Sequence, residues 1–307
     1  KRFTLYQLEL DSSDPTRYLF DGERRAMTRK EVTVQVKQPD GSLAPYSQPV
    51  YYSHFGPMVN LASLSPSLGW SSGSAVTFRD ANAGNIRMLD QWLAMDKATS
   101  REAFFAAFEE HQGIPWVNTL MIDKSGSASY IDGTQVPQLS ALAEGYWRAA
   151  SQSPQLAPIW QDGAGSVLLP GNSSVYEWVD SGNTLTPGLV PFSKAPQMTR
   201  DDYLYNANSS HWLSNLEAPL EGYSVLYGPE DTVRSPRTRY NAAMISDVSG
   251  SGLSGADGNF SVSELKTVLS HNGSLFAGDW TNQLTQRCTS YSTAELDGAA
   301  YDLTAAC

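Results

Sequence analysis

Cysteine is scarce in this 307-residue chain: there are two, Cys288 and Cys307, both near the C-terminal end. Their closeness suits one local disulfide in an oxidising compartment better than a metal site, the alternative being two free buried thiols. A bridge closing a loop of that length is worth about 3 kcal/mol in the chain-entropy model. It would place the protein in the periplasm or outside the cell. Histidine is scarce too. His54, His111, His211 and His271 show no H-x-x-H or H-E-x-x-H spacing and no cysteine partners, so neither a metal nor another cofactor is expected. Positive charge is short, with 21 Lys and Arg against 32 Asp and Glu, a net charge of -11 and a pI near 4.8. Nucleic acids and anionic membranes are held chiefly by Lys and Arg, so neither is an expected partner. No apolar run reaches the eighteen residues that a membrane-spanning helix needs, and Lys1 opens no secretory-signal pattern, as expected of mature or excised material.

What is present is the composition of a packed protein, 41% hydrophobic and 11% aromatic. The stretches "RFTLYQLEL", "EVTVQVKQPDGSLAPYSQPVYYSHFGPMV" and "SAVTFRD" place apolar residues at alternate positions and predict antiparallel strands, with a turn at Pro39 to Ser42. The period then becomes helical. Ile86, Leu89, Trp92, Leu93 and Met95 mark one helix and Phe104, Phe105 and Phe108 a second, with Thr99 or Ser100 as the cap between them. Val117 to Ile122 and Ser127 to Ile131 predict a β-hairpin turning at Lys124 to Gly126. From about 134 to 197 the chain is rich in Pro, Gly, Ser and Asn and predicts a long, mostly irregular excursion. "SPRTRYNAAMISDV" and "SVSELKTVLSH" look helical. Strand blocks flanking a helix pair point to α+β, helices layered on antiparallel sheets.

Three stretches could carry chemistry. "GWSSG" at Gly69 to Gly73 matches the G-x-S-x-G nucleophile pattern at Ser71, yet "LSPSL" before it and "SAVTF" after it do not supply the required strand and helix. "LSGADGNFSVSEL" half-matches a calcium loop with Asp257 at position 5 and Glu264 at position 12, but Leu253 and Gly255 offer no side-chain oxygen at positions 1 and 3. The third is "YLYNANSSHWLSN", Tyr203 to Asn215, with "SPRTRY" about thirty residues on. A neutral Asn amide that donates two hydrogens suits an oxyanion, and an arginine can fix that amide or a substrate. The same residues also make Asx-turns and surface charges, and spacing alone does not separate these readings.

In order along the chain, "KRFTLYQLELDSSDPTRYLFDG", "SHFGPMV", "NIRMLDQWLAMDKATSREAFFAAF", "GIPWVNTLMIDKSGSASYID", "YNANSSHWLSN" and "RSPRTRYNAAMI" resemble the penicillin acylase family of N-terminal-nucleophile hydrolases, nearest its acyl-homoserine lactone and aculeacin (lipopeptide) acylase branch. The resemblance implies an αββα four-layer sandwich with antiparallel sheets, made from a precursor processed into α and β subunits. It implies that residues 1–307 are an internal part of a single catalytic domain, within the β subunit. The family's nucleophile is an N-terminal serine activated by its own α-amino group; nothing here matches it, so it is expected before Lys1. The family's oxyanion asparagine falls on Asn208, with Asn206 as the fallback, and its active-site arginine on Arg239, with Arg237 second. The acyl pocket of the family nominates Trp92, Trp116 and Val117. The acidic motif that helps bind calcium in penicillin G acylases has no counterpart in "RFTLYQ".

The expected activity is therefore hydrolysis of an amide between a fatty or aromatic acyl group and an amine, in an acyl-homoserine lactone, a lipopeptide or a β-lactam. The expected partners are the α subunit, the remaining β-subunit segments and a small acyl-amide substrate. The alternatives are a conventional serine hydrolase using Ser71 and a secreted glycan-binding module, since Trp, Tyr and Asn on β-rich loops also bind sugars.

Overall fold

The computed structural model describes residues 2–157, 166–290, 293–296 and 299–302. Cys307 lies outside the described residues, and with it the expected bridge to Cys288. The chain divides into two compact units, residues 1–205 with 210–230 and residues 206–209 with 231–307.

The first unit is organised around β1 (Phe3–Asp11), which is buried along most of its length. Tyr6 and Leu8 are fully buried, and so is the Thr4 hydroxyl, which accepts a hydrogen bond from Trp178 Nε1 at 2.9 Å. That bond removes the cost of a buried, unsatisfied hydroxyl. β2 (Asp14–Phe20) and β3 (Glu23–Ala26) follow as a hairpin. Its two turn residues, Asp21 and Gly22, have φ values of 49° and 82°, the positive pair that a two-residue turn matched to strand twist requires. β4 (Thr28–Lys37) and β5 (Leu43–Tyr52) pair only with each other, as a ten-residue ribbon turning where "PDGS" predicts. β6 (Met58–Val59) and β7 (Ser74–Asp80) complete the sheet, in the order β3-β2-β1-β7-β6.

The helical hairpin is α1 (Met88–Lys97) and α2 (Arg101–His111), and Ser100 Oγ caps α2 by accepting from Ala103 N. The apolar stripe of α1 does not face inward as its spacing suggests. Leu89 and Leu93 are exposed, whereas Gln91 and Met95 are buried. The reason is polar: Gln91 Oε1 accepts from the backbone N–H groups of Gly113 and Ile114, at 2.5 and 3.0 Å, and docks the helix on the chain leaving α2. β8 (Thr119–Ile122) and β9 (Ala128–Ile131) form the expected hairpin.

The 134–197 stretch is more ordered than its composition implies. It holds α3 (Ala141–Ala150), started by a Ser140 cap, and β10 (Val167–Pro170). Ala143 and Trp147, four residues apart on one face of α3, are both fully buried in the main core with Tyr6, Leu8 and Leu169. β10 pairs with β1 from Thr4↔Val167 to Gln7↔Pro170, and this is the one parallel pairing among otherwise antiparallel strands of the described residues. β11 (Gln197–Arg200) joins β9 to make a three-stranded sheet.

The second unit contains α4 (Pro236–Ser246), α5 (Val262–Ser270), α6 (Leu275–Ser290) and a small hairpin, β12 (Thr293–Leu296) with β13 (Ala299–Asp302). Pro236 opens α4 and Ser235 caps it, the residue types those positions favour. The half-matched calcium loop leads into α5 through a capping box. Glu264 accepts from Ser261 N at 2.7 Å, and Ser261 Oγ accepts from Glu264 N at 3.3 Å. Among the described residues no group of three or more His, Cys, Asp or Glu is placed to hold a metal. Nor is any described helix long and apolar enough to cross a membrane.

Candidate active site

Most amides of the Tyr203 to Asn215 stretch brace the loop that carries them. Asn215 is fully buried; its Nδ2 donates to Tyr203 O at 2.9 Å and its Oδ1 accepts from Glu217 N and Ala218 N. Tyr203 OH accepts from Leu216 N, and Tyr205 N donates to Ser214 O at 3.0 Å. Asn206 Nδ2 donates to Ser209 O at 3.3 Å.

Asn208 is different. It is exposed, and its φ of 55° lies in the left-handed region, which Asn tolerates better than other residues with a Cβ. Its Oδ1 accepts from Arg237 Nη1 at 2.9 Å, and both residues belong to the second unit. Because the guanidinium has only donors, it selects the carbonyl end of the amide and leaves Nδ2 turned elsewhere with its two hydrogens. Asn208 Nδ2 makes no hydrogen bond among the described residues. A neutral amide held by its carbonyl and with its N–H groups uncommitted has the chemistry of an oxyanion donor.

Arg239, the first choice from the sequence, is exposed and its side chain makes no hydrogen bond or ion pair among the described residues. Arg237 and Arg239 are two apart at the start of α4, about 200° around the axis, so one can face Asn208 only if the other turns away. Trp92 and Trp116 present exposed rings, while Val117 packs on the second core of Met95, Phe108, Ile114 and Ile131. Ser71 Oγ is taken up by its own turn, accepting from Gly73 N and Ser74 N at 3.2 and 3.0 Å. No histidine is hydrogen-bonded to it among the described residues, so the base of a conventional serine hydrolase is missing there.

Reading the sequence gives no role to His211, which lies three residues beyond Asn208 and is fully buried. Its Nε2 meets Glu230 Oε1 at 3.0 Å. Burial pushes the His211 imidazole below its ordinary value, and Arg2 acts in the same direction, against Glu230 and Asp132, which pull it up. The folded state therefore binds fewer protons than the unfolded state in the histidine range. The stability His211 gives is complete above the unfolded value near 6.5 and is lost progressively as pH falls from there through the lower folded-state value. Urea midpoints measured at pH 7.5 and 5.5 should show the parent protein losing more stability on acidification than the His211→Gln variant; equal losses would exclude His211 as the source.

The fold aligns over 95% of the chain with 43% of a thermostable penicillin G acylase from Alcaligenes faecalis, at a TM-score of 0.59 and 16% identity. That likeness shows an α+β fold shared with a penicillin G acylase. The chain belongs to the penicillin amidase family, whose model matches residues 1–305. It is 37% identical, over 94% of its length, to an acyl-homoserine lactone acylase PvdQ of Pseudomonas syringae pv. syringae. Over 100% of its length it is 34% identical to the aculeacin-A acylase of Actinoplanes utahensis. The chain spans 35% and 38% of the length of these two relatives.

Proposed function

We propose that this chain is part of the β subunit of a processed, periplasmic or secreted acylase that hydrolyses the amide between a fatty or aromatic acyl group and an amine. An N-terminal serine outside residues 1–307 attacks the carbonyl carbon, its own α-amino group taking the hydroxyl proton. Asn208 Nδ2 donates to the oxygen as it becomes an oxyanion. The intermediate collapses with cleavage of the C–N bond, the amine leaving with the proton that the α-amino group took. Water then hydrolyses the acyl–serine ester to free the acid and restore the hydroxyl. The α subunit and the remaining β-subunit segments complete the enzyme. Acyl-homoserine lactones and lipopeptides are the preferred substrate classes, because the two relatives named above are an acyl-homoserine lactone acylase and an aculeacin-A acylase. Trp92, Trp116 and Val117 are assigned to the acyl chain, and the exposure of both tryptophan rings supports that role.

One contact carries the reading, the 2.9 Å hydrogen bond from Arg237 to Asn208 Oδ1, which frees Nδ2 to face substrate. On the strength of this contact we assign the positioning role to Arg237 in place of Arg239. A hydrogen bond from a charged donor is worth about 1.5–3 kcal/mol, so Arg237→Ala should lower kcat by roughly 10- to 100-fold in the complete enzyme. Arg239→Ala should cost at least tenfold less than Arg237→Ala. Steady-state hydrolysis of an acyl-homoserine lactone checks this, and the reverse ranking would return the role to Arg239.

A further inference from the structure

We propose that the β4–β5 ribbon is a docking arm whose apolar face is covered, in the complete enzyme, by precursor polypeptide from outside residues 1–307, an inference that rests on the acylase reading. Strand alternation sorts the ribbon into two unlike faces. On one, Val32, Val34 and Val36 stand opposite Gln48, Tyr46 and Ala44 in register. The three valines and Tyr46 are between 42 and 53% exposed. The opposite face carries hydrogen-bonding groups: Arg29 pairs with Glu31 at 2.7 Å, and the Thr33 and Ser47 hydroxyls meet across the strands at 2.7 Å.

The ribbon is held at its root. Met27 before it and Phe55 after it are buried in the main core, and Tyr18 OH meets His54 Nδ1 at 2.8 Å. Beyond the root every residue of β4 is exposed, and among the described residues no other strand joins its sheet. A two-stranded ribbon without a packed layer is marginal in water, so an apolar face of this length calls for a cover. Pro45 and Pro49 take N–H donors out of β5, which guards it against a further strand and leaves face-on packing as the mode. Ten residues on two strands make a face of about 34 Å by 10 Å, on the order of 340 Å². A second copy held by that face alone falls well short of the roughly 800 Å² per partner of a stable complex. Precursor polypeptide meets no such requirement, because the contact forms within one chain before processing. Most of the length of the two relatives lies outside the part that this chain matches, and a precursor of that size has the polypeptide to supply the cover.

The test uses the complete processed enzyme, with maleimide labelling of introduced cysteines under native conditions and the parent's own labelling as background. Val34→Cys, on the apolar face, should react at least about tenfold more slowly than Gln35→Cys on the other, and dilution by about a hundredfold should leave that ratio unchanged. A benzophenone-bearing residue placed at Tyr46 should cross-link, on illumination, to a peptide of the precursor outside residues 1–307. Equal labelling of the two faces would overturn the inference, as would protection lost on dilution or a cross-link to residues 1–307 of a second copy. Turnover of an acyl-homoserine lactone by the same sample keeps the two readings apart. Equal labelling in an active preparation removes the docking arm alone, whereas a native preparation without polypeptide beyond residues 1–307 removes the acylase reading and the arm with it. If Val34→Cys does not process, Val36→Cys replaces it with the same expected ratio.

Discussion

Asn208→Ala in the complete processed enzyme is expected to lower kcat by about 100- to 1,000-fold, the usual cost of one oxyanion donor, about 2.7–4 kcal/mol of transition-state stabilisation. The loss should fall on kcat and not on KM, because the amide meets its full charge only when the carbonyl becomes tetrahedral. Folding should change little: Asn208 is exposed and its one side-chain bond is to Arg237, which is exposed as well. Asn208→Asp should be at least as damaging, since Arg237 can still hold the side chain while the freed position carries an oxygen lone pair where a donor is required. Single-turnover release of the acyl product separates chemistry from binding. Near-parent turnover in Asn208→Ala would remove the assignment, whatever the effect on affinity.

Asp132→Ala is expected to cost about 3–5 kcal/mol of stability, because it breaks a buried ion pair and strands its partner. The Asp132 carboxylate, only 3% exposed, receives Arg2 Nη2 on both oxygens, at 2.9 and 3.2 Å, and Thr134 Oγ1. The guanidinium, 15% exposed, also donates from Nη1 to Leu226 O and lies over the Tyr227 ring. Deleting the carboxylate leaves a positive charge with a carbonyl and an aromatic face but no counter-ion. Replacing both partners, Arg2→Met with Asp132→Leu, should recover much of the loss, since no charge then stays buried alone. Urea denaturation of the intact protein measures both. A loss below about 1 kcal/mol in the single variant would mean that water reaches the pair and screens it.

The strands were the most legible part of this chain. β1, β4, β5 and β7 announce themselves by period-two alternation, and "PDGS" marks its turn because Asp40 and Gly41 do what their side chains favour, Asp40 capping Ser42 N and Gly41 taking a φ of 85°. The β2–β3 hairpin carried an equally good signal in Asp21-Gly22. Helix positions were readable but their faces were not: α1 docks through Gln91, and no hydrophobicity pattern identifies a glutamine as the inward residue. α3 was obscured because its buried face is one alanine and one tryptophan in a Pro- and Gly-rich neighbourhood. The order of motifs nominates Asn208 and Arg239, but which of Arg237 and Arg239 meets Asn208 depends on which way the first turn of α4 faces, and in the structure it is Arg237. Glu230 lies nineteen residues from His211, and the sequence holds no sign that the two meet.

The parallel pairing of β10 with β1 joins residues roughly 160 positions apart. On a ribosome adding about 5–20 residues per second, the Thr4 to Gln7 edge of β1 waits on the order of 10–30 s for its partner to be made. During that interval a strand containing Leu5, Tyr6 and Leu8 has an unpaired backbone edge, the kind of template that other chains can extend. Premature release of the nascent chain before Pro170, or truncation between β7 and β10, should therefore yield insoluble product, whereas a cut beyond β10 leaves that edge closed.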